Sequence, residues 1–249
     1  MHRFFLPKSS IGETEVIFPE DNARQIFRVL RLRSGEHVVV LDNCGYEYDV
    51  ILDYLDGKVA RGTIISKMKS GNESSISISL YICLTQRDKF EWILQKCTEI
   101  GVATFIPVIS SRSLVQTRDD WENKKNRYQK IIQEAAEQSN RGKIPQIFDL
   151  VSLERIKSED LNGMPALIFW EGEKNRSLQK ELRYLQTTEP SLSRISLLVG
   201  PEGGFSEQEV EKASSTGFTP VTLGRRILRM ETAAAVSAAL VLYEFGEMQ

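Results

Sequence analysis

The amino-acid sequence predicts an α/β protein of two domains, a small β-rich one over residues 1–72 and a larger α/β one over residues 73–249. Three observations carry this. Short β-prone runs separated by turns fill the chain before residue 67. A polar break, KMKSGNESS at residues 67–75, then brings the Gly, Asn and Ser of loops. Beyond it, apolar runs alternate with segments of helical periodicity, the pattern of a mainly parallel sheet.

In the first domain, the apolar run at residues 38–41 meets a turn at Asp42-Asn43-Cys44-Gly45. Residues 46–55 resume with partial alternation, Asp56-Gly57 turns, and residues 59–65 follow. Two hairpin-like turns between β-rich runs suggest a small barrel or sandwich. In the second domain, Ile76, Ile78, Leu80 and Ile82 alternate with polar partners, as a strand with one buried face does. Phe90, Ile93, Leu94, Cys97 and Ile100 recur at helical spacing, and Gly101 closes that helix. Residues 102–109 read as a strand, residues 119–139 as a long polar helix, and residues 166–170 and 195–199 as buried strands.

Composition excludes several chemistries. Lys+Arg is 32 and Asp+Glu is 34, a net charge of -2, which argues against bulk electrostatic grip on nucleic acid. Residues 1–72 hold 10 basic and 10 acidic residues, leaving 22 and 24 for the rest, so neither domain is basic on average. The two histidines, His2 and His37, both precede the α/β domain, so a Ser-His-Asp or Cys-His site there is excluded. Three cysteines without a C-x-x-C pair build neither a zinc site nor a disulfide framework, and no metal is expected. No signal peptide or membrane span is expected, which reads as a cytoplasmic protein.

Residues 22–35 contain Arg24, Arg28, Arg31 and Arg33 and no acidic residue. At about 100° per residue, Arg24, Arg28 and Arg31 share one helical face, with Ile26, Val29 and Leu30 opposite. Clustered cations of this kind suit phosphate contact, which positions RNA or DNA without reading its sequence. The plain alternative is a solvated face neutralised by acids elsewhere.

Two motifs concentrate glycine near strand ends. In the first, the apolar run Leu197-Leu198-Val199 enters Gly200-Pro201-Glu202-Gly203-Gly204, and Ser206 with Glu209 forms a capping box for the following helix. Glycines let backbone amides approach a ligand, although the spacing is neither a dinucleotide fingerprint nor a P-loop. In the second, Leu223-Gly224-Arg225-Arg226-Ile227-Leu228-Arg229-Met230-Glu231-Thr232 leads into an Ala-rich helix over residues 232–245. Ligands of open α/β sheets bind at the carboxyl ends of strands, where both motifs fall.

Together these motifs resemble the SPOUT class of knotted RNA methyltransferases, and more narrowly the RsmE family, which methylates uracil N3 in 16S ribosomal RNA. The resemblance spans nearly the whole chain. Arg3-Phe4-Phe5-Leu6-Pro7 and residues 28–36 are similar to the family's N-terminal PUA-like barrel. Gln95-Lys96-Cys97-Thr98-Glu99-Ile100-Gly101-Val102, and residues 134–141 with Pro145, are similar to its internal motifs. Arg225 stands where the family often has Pro, Met230 where it often has Thr, and a His common near Gln25 and Ile26 is missing.

The resemblance implies a PUA-like β-barrel RNA-binding domain followed by a SPOUT domain with a deep trefoil knot, working as a homodimer. It implies S-adenosyl-L-methionine as cofactor, held by Leu198, Gly200, Glu202, Gly203, Leu223, Gly224, Ile227, Leu228, Arg229 and Thr232, and small-subunit ribosomal RNA as substrate. Methylating N3 requires removal of its proton, and no histidine is at hand. The candidate proton acceptors are the carboxylates of Glu231 and Glu202; Arg229 is expected to stabilise the uracil anion, and Glu231 to orient Arg229 or accept the proton; pairing of Glu231 with Arg226 is the structural alternative. Arg24, Arg28, Arg31, Arg33, Arg226, Gln138 and Arg141 are the expected RNA contacts. A SPOUT enzyme acting on another RNA or base, or a non-catalytic RNA-binding protein of the same fold, remains open.

Overall fold

The computed structural model describes residues 1–113 and 121–248, and the chain divides into two compact units. One comprises Met1–Glu73 with Gln133–Ile144; the other comprises Ser74–Ile132 with Pro145–Gln249. The division is thus not the single cut expected near residue 72, because a second stretch of chain joins the first unit. The cause is the end of a long helix, which packs on the first unit's sheet.

The first unit is a five-stranded sheet. Its strands are β1 (His2–Phe5), β2 (Glu15–Phe18), β3 (His37–Leu41), β4 (Tyr46–Leu55) and β5 (Ala60–Lys69). They lie in the order β1-β3-β4-β5-β2; β1 runs parallel to β3, and the other pairs are antiparallel. The polar residues 67–69, expected in a loop, extend β5, with Lys69 opposite Tyr46. β1 and β2 are the two sheet edges, yet Phe4 and Phe18 meet edge to face at 6.0 Å. The sheet therefore curls around a core that includes Val16, Val38, Val40, Val50 and Leu52. Side chains alternate between the faces of a strand, so Phe5, Val39 and Leu41 point away from that core. They pack with Ala136 and Ile144 instead. This explains why residues 38–41 are continuously apolar, since β3 is covered on both faces.

The cover comes from α3 (Trp121–Gln138) and the turn after it. The expected start of this helix at residue 119 lies outside the described residues. Glu137 accepts the Phe5 N–H at 3.0 Å. Arg141 forks onto Glu73, with Nη2 to Oε2 at 2.7 Å and Nε to Oε1 at 3.3 Å. Glu73 Oε1 also accepts from the Gly142 and Lys143 N–H groups at 3.0 and 3.1 Å. The Arg141 side chain is only 6% exposed, so its charge closes this unit and is not offered to RNA.

The arginine segment departs from a regular helix. Residues Glu20–Arg24 form α1, and Gln25–Leu30 continue as a π-helical turn. The wider turn rotates the apolar face: Ile26 is buried while Val29, expected opposite the arginines, is 72% exposed. Arg31 ends the turn in the left-handed region at φ 56, so it leaves the shared face. Arg24 pairs with Glu20, one turn earlier, at 2.8 Å.

The second unit holds an all-parallel sheet. Its strands are β6 (Ser77–Cys83), β7 (Thr104–Ile109), the short β8 (Gln146–Ile147) and β9 (Val151–Ser152), β10 (Ala166–Phe169), β11 (Arg194–Val199) and β12 (Phe218–Val221). The order is β12-β10-β11-β6-β7-β8, with β9 also on β7. Its helices are α2 (Arg87–Ile100), the shared α3, α4 (Leu178–Thr188), α5 (Glu207–Thr216) and α6 (Met230–Glu244). β6 was expected to bury one face, but Tyr81 on its second face is also only 6% exposed. Parallel strands are linked by crossover helices, so both faces are covered.

α2 and α6 lie against each other. Gly101, at φ +128, closes α2 where a Cβ would meet Leu242 of α6 at 2.9 Å. α6 is apolar on all sides; Ala234, Ala238 and Val241 are fully buried, whereas Leu240 and Tyr243 are 43% and 69% exposed. Among the described residues, no helix is long and apolar enough to cross a membrane.

Arg141→Met should cost about 3 kcal/mol, since it removes the opposite charge from Glu73 and the guanidinium donor from its Oε2. The check is a fall in the urea midpoint, with the denaturant slope unchanged.

Candidate active site

Because the sheet is parallel, every strand delivers its C-terminal loop to the same edge. Four neighbouring strands, β12, β10, β11 and β6, bring their loops together there, the two glycine motifs among them. β11 enters the loop at residues 200–205. β12 enters residues 222–229, and β10 enters Trp170 and Glu171. β6 is followed by Leu84, Thr85 and the first turn of α2.

These loops enclose a cavity of 370 Å³ lined by Lys89, Glu171, Gly200, Glu202, Arg229 and Glu231, among others. A smaller one of 130 Å³ is lined by Trp170, Leu223, Gly224, Arg225 and Arg226. Phe169, Glu171, Ile227, Leu228 and Ala233 line both, so the two are halves of one cleft. A separate cavity of 580 Å³ lies near Ser110, Ser152 and Lys212; it touches the first motif only at the start of α5, through Ser206 and Glu209, and none of the glycines lines it. It is larger, but of its charged lining residues Glu154, Glu209 and Lys212, Glu209 is already bonded to the Ser206 and Ser111 N–H groups.

The glycines have physical reasons. A Cβ at Gly200 would strike the Phe205 ring at 2.9 Å. Gly204 sits at φ +65 beneath the Glu171 carboxylate, where a Cβ would fall 2.5 Å from Oε1. Gly224, at φ +115, has nothing within 4 Å of where a Cβ would stand, so bare backbone faces the cleft there. The loop after β11 then enters α5 through the expected capping box: Ser206 and Glu209 exchange bonds of 2.8 and 3.2 Å. Burial pushes the Glu209 carboxyl up, but bonds from Ser206 and Ser111 outweigh this and bring it below its ordinary value. That carboxylate is consumed by the cap.

The two cavity carboxylates predicted from sequence have opposite surroundings. Glu202 accepts from the Thr85 hydroxyl and from Lys89 Nζ at 3.1 Å. Burial alone would raise its pKa; bonds from Thr85, its own N–H and Lys89 bring it below the ordinary value. Glu231 is different: its Oε2 is buried and, among the described residues, has no hydrogen-bond partner. The expected alternatives of Glu231 pairing with Arg226 or orienting Arg229 are absent, since the carboxylate makes no ion pair with either. Arg229 is exposed, stands at the N-cap of α6 and lines the same cavity. Cys83 and Cys97 are fully buried, and desolvation pushes both thiols up to about 12, so neither serves as a nucleophile.

The cleft brings together Gly200, Glu202, Leu223, Gly224, Arg226, Ile227, Leu228, Arg229 and Glu231 of the expected set. It leaves out Leu198, fully buried in β11, and Thr232, exposed on the first turn of α6. Gly203 lies outside the lining, because Arg112 covers it and donates to its carbonyl at 3.1 Å. Lys89, Thr85, Glu171 and Arg112 escaped the sequence reading. A signal for Glu171 existed: residues 166–172 repeat the pattern of an apolar strand entering a glycine turn. In the first unit, Arg24, Arg28, Arg31, Arg33 and Gln138 are exposed.

Known proteins share both the sequence pattern and the fold. The model of an RNA methyltransferase domain family matches residues 72–242. Ribosomal RNA small subunit methyltransferase E of Bacillus subtilis is 29% identical over 98% of this chain and 97% of its own. The protein of the same name from Synechocystis is 32% identical over 96% of this chain and 77% of its own. Among solved structures, ribosomal RNA small subunit methyltransferase E of Neisseria gonorrhoeae, bound to S-adenosyl methionine, aligns over 100% of both chains at 32% identity and a TM-score of 0.86. The chain therefore belongs to the RNA methyltransferase family that contains ribosomal RNA small subunit methyltransferase E.

Proposed function

We propose that this protein transfers a methyl group from S-adenosyl-L-methionine to N3 of a uridine in 16S ribosomal RNA, in the cytoplasm. The observation that carries the reading is the buried, unpartnered Glu231 Oε2 in a cavity that also holds Arg229. An orphaned acceptor in a polar cavity awaits a donor, and uracil N3–H is such a donor.

The residues present fit the cofactor. The cleft combines apolar walls at Phe169, Ile227 and Leu228 with exposed backbone at Gly200 and Gly224 and carboxylates at Glu171, Glu202 and Glu231. A nucleoside base suits the first, its polar edges the second, and a cationic sulfonium the third. When bound, S-adenosyl-L-methionine supplies an electrophilic methyl group. The chain's own part is to position the base for in-line attack and to hold its charge. Glu231 accepts the N3 proton, and the Arg229 guanidinium stabilises the negative charge left on the uracil oxygens.

The remaining expectations belong to the same proposal. The N-terminal unit acts as a PUA-like RNA-binding domain through Arg28, Arg31 and Arg33, with Gln138 and Arg226 as further contacts. The return of the chain from β12, at one sheet edge, to place α6 against α2 supports a trefoil-knotted SPOUT domain. The exposed apolar side chains of Leu240 and Tyr243 on α6 and of Trp92 on α2, the last at 42% exposure, support a homodimer that covers them.

Nucleoside mass spectrometry of small-subunit RNA incubated with the protein and cofactor tests the reading. It should detect N3-methyluridine and would be overturned by a different modified base. Arg229→Ala should slow methyl transfer by roughly 100-fold or more with cofactor affinity little changed; full activity would sink the role given to Arg229. Replacing Arg28 or Arg31 by Ala should lower the slope of log affinity against log salt by about 1 each for RNA, as filter binding reads.

A further inference from the structure

Thr85 and the first turn of α2 contain a contact that helix formation does not require. Lys89 is the third residue of α2, where the helix dipole disfavours a cation. Thr85 stands one residue before the N-cap Gln86, in sequence a natural capping hydroxyl, yet α2 has no side-chain cap. Both side chains are turned to Glu202, more than one hundred residues later. Thr85 is 4% exposed, so its hydroxyl is committed to that bond. Two local preferences of α2 are thus set aside for one carboxylate on the wall of the 370 Å³ cavity.

The geometry points to Lys89 as a positioning residue for the cofactor site. With Thr85, it holds the Glu202 carboxylate as a fixed negative charge and pins the glycine loop that carries it. This rests on the proposed binding of S-adenosyl-L-methionine in the cleft. Without the clamp, Glu202 would be free to turn into solvent, and the loop between Gly200 and Gly204 would lose its tie to the end of β6. Arg112 restrains the neighbouring Gly203 carbonyl, so the loop is held from two sides. Lys89 acts through Glu202 and not by touching the cofactor.

Among the described residues, the other charged groups facing the cavity are Glu171 from the β10 loop and Arg229 and Glu231 from the start of α6. Their effect on ligand binding is common to the unaltered protein and to every Lys89 or Glu202 variant, which isolates the Lys89–Glu202 couple.

Titration calorimetry with S-adenosyl-L-methionine between about pH 5 and pH 8 tests the inference on the full chain. Glu202 lies below its ordinary pKa in the folded protein, so the unaltered protein should bind with little change down to the acid end. Lys89→Met should weaken binding about tenfold and move its loss with falling pH to higher pH, since the carboxylate loses a donor and a neighbouring cation. Lys89→Arg should restore both. Glu202→Gln should weaken binding without that pH dependence, and adding Lys89→Met to it should cost nothing more. Losses that add in the double variant would overturn the inference, since Lys89 would then act on the ligand directly. A Lys89→Met loss uniform across pH would overturn it too, as a packing effect. Absence of binding to the unaltered protein would instead overturn the cofactor reading on which the inference rests.

Discussion

The parallel direction of the second unit's strands is the constraint on which the site depends. In an antiparallel sheet, neighbouring strands send their loops to opposite edges. Here β12, β10, β11 and β6 all send theirs to one edge, so residues from four distant parts of the sequence meet without long excursions of the chain. The glycine turns follow from that convergence. Four loops crowded at one edge leave little room for side chains at Gly200 and Gly204, where a Cβ would overlap Phe205 or Glu171.

The charges at that edge are arranged in contrast. Glu202 is held by two side-chain donors on one oxygen, Glu209 is spent on capping α5, and Glu231 keeps a buried oxygen with no donor among the described residues. One chemical group thus takes three roles, because low dielectric surroundings amplify the difference between a satisfied and an orphaned oxygen. The same logic separates the arginines. Arg141 is enclosed by Glu73, Arg24 is paired on its own helix, and Arg229 stands open over the cavity. A net charge near zero therefore says little about where anions would bind; the burial and partnering of each arginine decide that.

Local rules failed where neighbouring structure overrode them. The arginine segment has the spacing of an α-helix, yet it widens to a π-turn, which buries Ile26 and leaves Val29 in solvent. Residues 67–69 have loop chemistry, yet they extend β5, since β4 offers a long partner strand. The end of α3 reads as part of the second domain, yet its Ala136 packs with β1 and β3. In each case a contact partner far away in sequence settled the outcome.

By itself the sequence determined the α/β class, the positions of β6, β10 and β11, the glycine that closes α2, the capping box that starts α5, and the two glycine motifs. These rest on short-range physics: hydrophobic period, capping chemistry and the steric freedom of glycine. With the family resemblance it also singled out Arg229 and Glu231. Tertiary structure alone decided which residues share the cleft. It placed Leu198 and Gly203 outside the cleft wall, brought in Glu171, and diverted Thr85 and Lys89 from helix α2 to Glu202. It also enclosed Arg141 in a buried ion pair. Such outcomes depend on the order of strands in the sheet, which brings together residues more than one hundred positions apart, beyond the reach of any local pattern.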